Sequence, residues 1–340
     1  MEQLINDIQN IVQDYRADEG INSVKMTTQR IKRWVEQFEE ADREFILTEL
    51  KHILNKRYCS KEAVKTFLKA VIEKLTKDLN YTSTTNFLNE TIFLDLQPDG
   101  KSQKRLLQLL KDLLTSDFDF DFENCGQSRN KNFIYIDDIL CTGNTLFQDI
   151  KEWSEENYTA AKTNLQAITD NDANLIFAYI FIHEKNYFKK KAEMRHKINA
   201  DFSNKHKMYR LFEIENSESS ANSALDFIYP LEANQPTVVT EYKTKIVEQV
   251  DEHMKKYNAT SPEEFYRTSG KPQTEKLFSS ADNRNRLENI MLKKGVEVLN
   301  NANTRVINPD YALDHVHFAE SPGIFIVSQV LTNHFFDAHT

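Results

Sequence analysis

Apolar residues recur at helical spacing through the first quarter of the chain. Ile31, Trp34, Phe38, Phe45, Ile46, Leu50 and Ile53 keep a period near 3.6, and Ala63, Phe67, Leu68, Val71, Ile72 and Leu75 repeat it. This predicts an N-terminal helical region over residues 1–85, closed by the polar stretch NYTSTTN (Asn80–Asn86). The pattern then changes. TIFLDL (Thr91–Leu96) is a short apolar run stopped by Pro98, Asp99 and Gly100, and SQKRLLQLLKDLL (Ser102–Leu114) has a helical period. FDFDF (Phe118–Phe122) alternates like a strand and FIYI (Phe133–Ile136) predicts another. A helix is expected from about Leu146 to Ala167, before LIFAYIFI (Leu175–Ile182), the most apolar run in the chain.

Strands apolar on both faces and alternating with helices predict an α/β fold with a parallel sheet covered on both sides. Beyond Asn186 the pattern predicts a basic helix in YFKKKAEMRHKI, a strand at Lys207–Ile214, helices at Lys243–Tyr257 and Asn283–Leu299, and a closing strand at Gly323–Leu331. The expected division is a helical region over 1–85 and an α/β domain over 86–340, with a C-terminal α/β elaboration from about residue 187.

Composition narrows the class. The 340 residues are 40% hydrophobic and 28% charged, which suits one large globular domain or two ordinary ones. No run of about 18 apolar residues suggests a membrane span. The acidic start, MEQLINDIQNIVQDYRADEG, does not read as a secretory signal. Cys59, Cys125 and Cys141 have neither pairing nor metal spacing, so reduced thiols in a cytoplasm are expected. A net charge of −9 argues against broad adhesion to nucleic acid. With only seven glycines in the chain, Gly100 and Gly143, each following a strand-like segment, point to a backbone need.

The chemistry concentrates in NFIYIDDILCTGNTLFQDI (Asn132–Ile150), where an apolar strand ends in Asp137 and Asp138. Ligands of open α/β sheets bind beyond the carboxyl ends of strands, and two unpaired buried carboxylates are costly. Neighbouring strand residues face opposite sides, so the acids can share a role only where the strand bends. They can accept from the paired hydroxyls of a ribose, or help to hold Mg2+ through water. The following loop, Cys141, Thr142, Gly143, Asn144 and Thr145, opens a helix whose backbone N–H groups and threonine hydroxyls suit a phosphate. Acids and loop together describe a sugar-phosphate site.

The segment resembles the 5-phosphoribosyl-1-diphosphate (PRPP) signature of type I phosphoribosyltransferases: an apolar strand, two acids, two variable residues and a small hydroxyl-rich loop. The resemblance implies a phosphoribosyltransferase-like core, an enzyme of the glycosyltransferase class, and a PRPP or related nucleotide substrate with Mg2+. It implies that Asp137 and Asp138 bind the ribose hydroxyls, and that Cys141–Thr145 binds the 5′-phosphate. Cys141 departs from the usual Thr or Ser and loses a hydroxyl donor. The LDLQPDGKSQ turn (Leu94–Gln103) stands where the family binds pyrophosphate, which implies that role for Gly100, Lys101 and Ser102. By order, ENCGQSRNKN matches the family's flexible catalytic loop, with Arg129 and Lys131 as candidates. The helical front, these motifs and LFSSADNRNRLENIMLKKGVEVL (Leu277–Leu299) resemble the divergent phosphoribosyltransferase-like effectors of bacterial conflict and antiphage defence, some of them beside retrons. This implies a toxin effector with a defence-system partner protein or ribonucleoprotein.

Other readings stand beside this one. A non-catalytic nucleotide sensor or toxin subunit keeps the pocket without turnover. A P-loop using Gly100–Ser102 requires glycine five residues earlier, where Asp95 stands. His183, at a strand end, is a satisfied surface histidine or a base contact. His315 and His317 lack a third zinc ligand. Arg284, Arg286 and Glu288 read as a solvated or salt-bridged helix face or as residues reaching the site. Lys185, Lys189, Lys190, Lys191, Arg195 and Lys197 read as a solvated helix face or a docking surface.

Overall fold

The computed structural model describes residues 1–15, 17, 26–128, 130–215, 218, 224–255 and 266–301. The expected strand at Gly323–Leu331, His315, His317 and Arg129 lie outside the described residues. Two compact units form: Met1–Tyr58 with the described residues from Glu215 onward, and Cys59–Ile214.

The first unit is helical. It begins with α1 (Glu2–Ile11), α2 (Thr28–Val35) and α3 (Glu40–Arg57). Ile8, Ile31, Trp34, Ile46, Leu47 and Ile53 lie in its core, so the apolar positions predicted from Ile31 to Ile53 sit on two helices and the turn between them, and share one core.

The second unit holds the sheet. Its elements run α4 (Lys61–Asp78), α5 (Thr84–Asn89), β1 (Thr91–Leu94), α6 (Ser102–Phe118), β2 (Asn132–Leu140), α7 (Asn144–Glu155), β3 (Asn157–Thr159), β4 (Lys162–Thr163), α8 (Asn164–Thr169), β5 (Asn174–His183), α9 (Glu184–Lys197) and β6 (His206–Ile214). The central sheet has the order β1-β2-β5-β6 and every pairing is parallel. The chain then returns to the first unit as α10 (Thr237–Lys255) and α11 (Ala281–Asn301). The predicted α/β class with a parallel sheet is what forms.

Alternation along β2 sorts the two faces. Ile134 and Ile136 pack with α4, α5 and α6, while Phe133 and Tyr135 pack with α7 and α8. The sheet is therefore buried on both sides, which is why its strands read as unbroken apolar runs. The crossovers β1–α6–β2 and β2–α7–α8–β5 step the same way across the sheet yet lie on opposite faces, so one has the uncommon hand. The loops leaving β1 and β2 therefore part to opposite sides, and such a switch point leaves a crevice at the carboxyl ends of the strands.

Two local predictions differ from the structure. FDFDF is no strand: α6 continues to Phe118, Asp119 ends it at φ 48°, and Phe122–Asn124 makes a short 3-10 turn. Phe120 and Phe122 still point into the core, so the alternation reports burial without a strand neighbour. The single helix expected over 146–167 is broken into α7, the β3–β4 hairpin and α8. A capping box, Thr163 with Gln166, starts α8 afresh. Among the described residues no helix is long and apolar enough to cross a membrane.

Candidate functional site

Asp137 and Asp138 sit near the carboxyl end of β2, at the switch point. Asp137 is buried at 6% exposure and Asp138 is half-buried. Although successive residues leave opposite faces of the strand, the two acids meet at one hydroxyl. Ser102 Oγ, in the first turn of α6, lies 3.0 Å from Asp137 Oδ1 and 2.9 Å from Asp138 Oδ1. Its single proton serves one carboxylate at a time. Asp137 Oδ1 also accepts from the Asp138 backbone N–H at 2.9 Å, and its Oδ2 from Gln97 Nε2 at 2.8 Å. Asp137 is thus held from within while Asp138 is the more open of the pair.

Burial raises both carboxyls above the usual carboxylate range, and the Asp138 charge raises Asp137 further. The pair costs free energy when doubly ionised, as like charges in a buried site do. Such costs collect at functional sites.

A polar chain extends behind the acids. Gln97 Nε2 also donates to Tyr135 Oη at 2.7 Å, and Tyr135 donates to Asp149 Oδ2 on α7 at 2.7 Å. Gln103 accepts the backbone N–H groups of Leu96 and Gln97, at 3.0 Å each, and donates to the Ile136 carbonyl at 3.1 Å. Both glutamines are buried, so these bonds fix the turn between β1 and α6 against β2. Sequence reasoning missed Gln97, Gln103, Tyr135 and Asp149. Their signal, polar residues in or beside apolar runs, becomes readable only once partners are known.

In the turn itself, Gly100 has φ 88°, and nothing lies within 4 Å of where a Cβ would stand. Lys101 is the exposed N-cap residue of α6 and gives no side-chain cap. The Ser102 hydroxyl is committed to the two acids. Lys131, by contrast, precedes β2 at its other end, with Nζ 4.0 Å from Glu90 and 5.8 Å from the Tyr81 ring centre. Five strand residues, a rise of about 3.3 Å at each step, separate it from Asp137, so it does not join the acids.

The loop after β2 opens α7. Gly143 is its N-cap at φ 74°, a left-handed value that favours glycine, and no side chain caps the helix. The Phe147 N–H bonds the Gly143 carbonyl, closing the first turn. Asn144 N–H reaches Thr142 Oγ1 only at 3.4 Å, which leaves the first-turn donors weakly engaged. Asn144 and Thr145 are exposed. The Cys141 thiol is pushed up to about 12 by burial, with the Asp138 charge adding to it, so it stays protonated and is no nucleophile.

Helix α9 braces this loop. Asn186 Nδ2 donates to the Cys141 carbonyl at 2.9 Å, and Lys190 Nζ donates to Asn144 Oδ1 at 2.5 Å. Lys190 therefore leaves the set of solvated lysines that the basic run suggested. His183 is wholly buried at the end of β5, and burial drives its pKa down to about 3. It is a neutral core residue, with no exposed surface, and not the surface histidine that one reading expected. Arg284 and Glu288 are wholly buried in the first unit. Arg284 pairs with Glu288 at 3.1 Å and with Glu275 at 2.5 Å, and Arg286 pairs with Asp42 at 2.7 Å, so the salt-bridged reading of these three holds.

A parallel sheet covered on both sides, with a carboxylate pair near the carboxyl end of β2 and an uncapped helix start after it, is consistent with a phosphoribosyltransferase-like α/β core. The PRTase-CE family model matches residues 31–305, more than three quarters of the chain, and the chain belongs to that family. The match takes in segments of both units. Neither the curated proteins nor the solved structures contain a match.

Proposed function

We propose that the second unit binds PRPP, or a related ribose 5-phosphate nucleotide, and transfers or removes its phosphoribosyl group. The observation that carries this reading is the succession, within one strand–loop–helix segment, of a carboxylate pair, Asp137 buried and Asp138 half-buried, and an uncapped helix start. Asp138 accepts from the ribose hydroxyls, and Asp137, locked by Gln97 and Ser102, holds it in place. The 5′-phosphate rests on the N–H groups that open α7, beside the Thr142 and Thr145 hydroxyls. Lys101 and the Gly100–Ser102 backbone face the departing pyrophosphate, where charge grows as the C1–O bond breaks towards an oxocarbenium-like state.

The donors suit Mg2+. Among the described residues no three His, Cys, Asp or Glu side chains form a metal site by themselves. Mg2+ commonly takes one or two carboxylates, with water and substrate oxygens completing its shell. Asp138, and Asp137 through water, would hold it, and when bound it supplies neutralising charge to the pyrophosphate.

A second reading, a non-catalytic nucleotide sensor or toxin subunit, is favoured by Cys141 in place of a hydroxyl and by Lys131 lying far from the acids. In either case we infer a cytoplasmic effector of antiphage defence that works with a partner protein or ribonucleoprotein. The support is the family and the resemblance of its layout to conflict proteins. Calorimetric titration with PRPP, with and without Mg2+, followed by a pyrophosphate-release assay with candidate acceptors, tests these readings. Binding with release supports the enzyme, binding without release supports the sensor, and binding of neither PRPP nor ribose 5-phosphate, titrated beside it, overturns both.

A further inference from the structure

Lys190, in the second turn of α9, lies across the loop that the phosphoribosyl reading gives to the phosphate. A Cβ added at Gly143 would stand 2.5 Å from Lys190 Cγ, so the absence of a side chain there is what lets the lysine stem pass. Its Nζ is 2.5 Å from Asn144 Oδ1 and 2.6 Å from Glu193 Oε2, and the side chain is 15% exposed. Asn144 is the first residue of α7, so the lysine is tied to the residue that opens that helix, and its ammonium also lies 5.8 Å from the centre of the Phe147 ring. An ammonium carries three protons, and these two partners use two. Glu193 is also held by Lys197 at 2.6 Å. It therefore keeps a counter-charge if Lys190 turns to another anion.

We infer that Lys190 is the cationic ligand of the phosphate in this loop, and that it makes the loop select a dianionic phosphate monoester. The inference rests on the phosphoribosyl reading of the loop. Backbone N–H groups already favour negative charge, and a fixed ammonium within hydrogen-bond reach adds a full unit charge to the preference for the dianion. Glu193 and Asn144 hold the ammonium ready, and the Gly143 backbone is shaped to admit its stem.

The test is calorimetry of ribose 5-phosphate with wild type, Lys190→Met and Glu193→Gln across the second phosphate ionisation, near pH 6. Methionine keeps an unbranched stem over Gly143. Wild-type affinity should rise as pH climbs through that ionisation. Lys190→Met should bind roughly tenfold to a hundredfold more weakly at neutral pH and show a flatter pH profile, as loss of one charge-assisted bond implies. Glu193→Gln should bind as tightly as wild type or more so, since it frees the ammonium. Equal affinity and an equal pH profile in Lys190→Met overturn the inference while leaving the phosphate loop itself in place. Parallel losses in both variants, together with lowered melting temperatures, also overturn it, because the pair would then only support α9. Wild type that binds neither ribose 5-phosphate nor PRPP overturns the phosphoribosyl reading along with it.

Discussion

Gln97 Nε2 donates to Asp137 Oδ2 at 2.8 Å, tying the turn after β1 to the acidic end of β2. The same nitrogen serves Tyr135 Oη, so one buried amide supports both the acid and the tyrosine that holds α7. Gln97→Leu keeps the volume and removes both bonds. A stability loss of about 1–3 kcal/mol is expected, the usual cost of leaving buried polar groups unsatisfied. The Gln97 bond lowers the Asp137 pKa, so its loss raises that pKa further and the variant should suffer more at neutral pH than in acid. Urea unfolding at two pH values reads both effects.

Asp138→Asn should make the fold more stable at neutral pH while weakening ribose binding. Both acids have folded pKa values above their unfolded ones, so between the two values the folded state holds more protons than the unfolded state. Stability then falls as pH rises through that window, from about 4 upward. Asparagine removes one charge and also the repulsion that raises Asp137. The gain in melting temperature should therefore be largest at neutral pH and fade towards pH 4. A fall of many degrees at pH 7 would make the pair a structural device instead.

Gly143→Val should act on both backbone and loop. A branched residue at φ 74° is strained by roughly 1–2 kcal/mol, and its side chain would displace Lys190 from a position 2.5 Å from the added Cβ. Thr145→Ala, which disturbs neither, should weaken ribose 5-phosphate binding by roughly 1.5–3 kcal/mol through loss of one hydroxyl donor to a charged group. Calorimetry should rank wild type above Thr145→Ala, and Thr145→Ala above Gly143→Val. Thermal melting should set Gly143→Val apart from the other two.

Arg284→Met should unfold the helical unit more easily without touching the site. Arg284 donates to the Phe227 and Leu225 carbonyls, pairs with Glu275 and Glu288, and stacks on Phe278. Its removal leaves Glu288, wholly buried and already raised to about 7 by burial, with Arg267 as its remaining ion-pair partner. Breaking a buried pair from one side costs about 3–5 kcal/mol. Chemical unfolding should show this loss, and PRPP affinity measured below the transition should stay at the wild-type value.

The sequence by itself determined the helical stripes of α2, α3, α4 and α6, the β1, β2, β5 and β6 strands, the α/β class and the strand–loop–helix order of the segment from Asp137 to Thr145. These are local: a helical stripe, an apolar run and a strand–acid–loop–helix order are written in consecutive residues. The tertiary structure decided the rest. Only folding brings Ser102 to both acids, places Gln97 and Tyr135 behind them and lays Lys190 over Gly143, because each of these pairs residues from separate elements. Arg284 and Glu288 read equally well as a solvated helix face, and only packing against Leu225, Phe227 and Arg267 made them a buried cluster. FDFDF alternated like a strand because its aromatics are buried, yet no neighbouring strand supplies the ladder that would make it one. Periodicity records which side of the chain meets the core. It carries no information about which distant polar group will answer a buried charge, and in this fold that pairing shapes the candidate site.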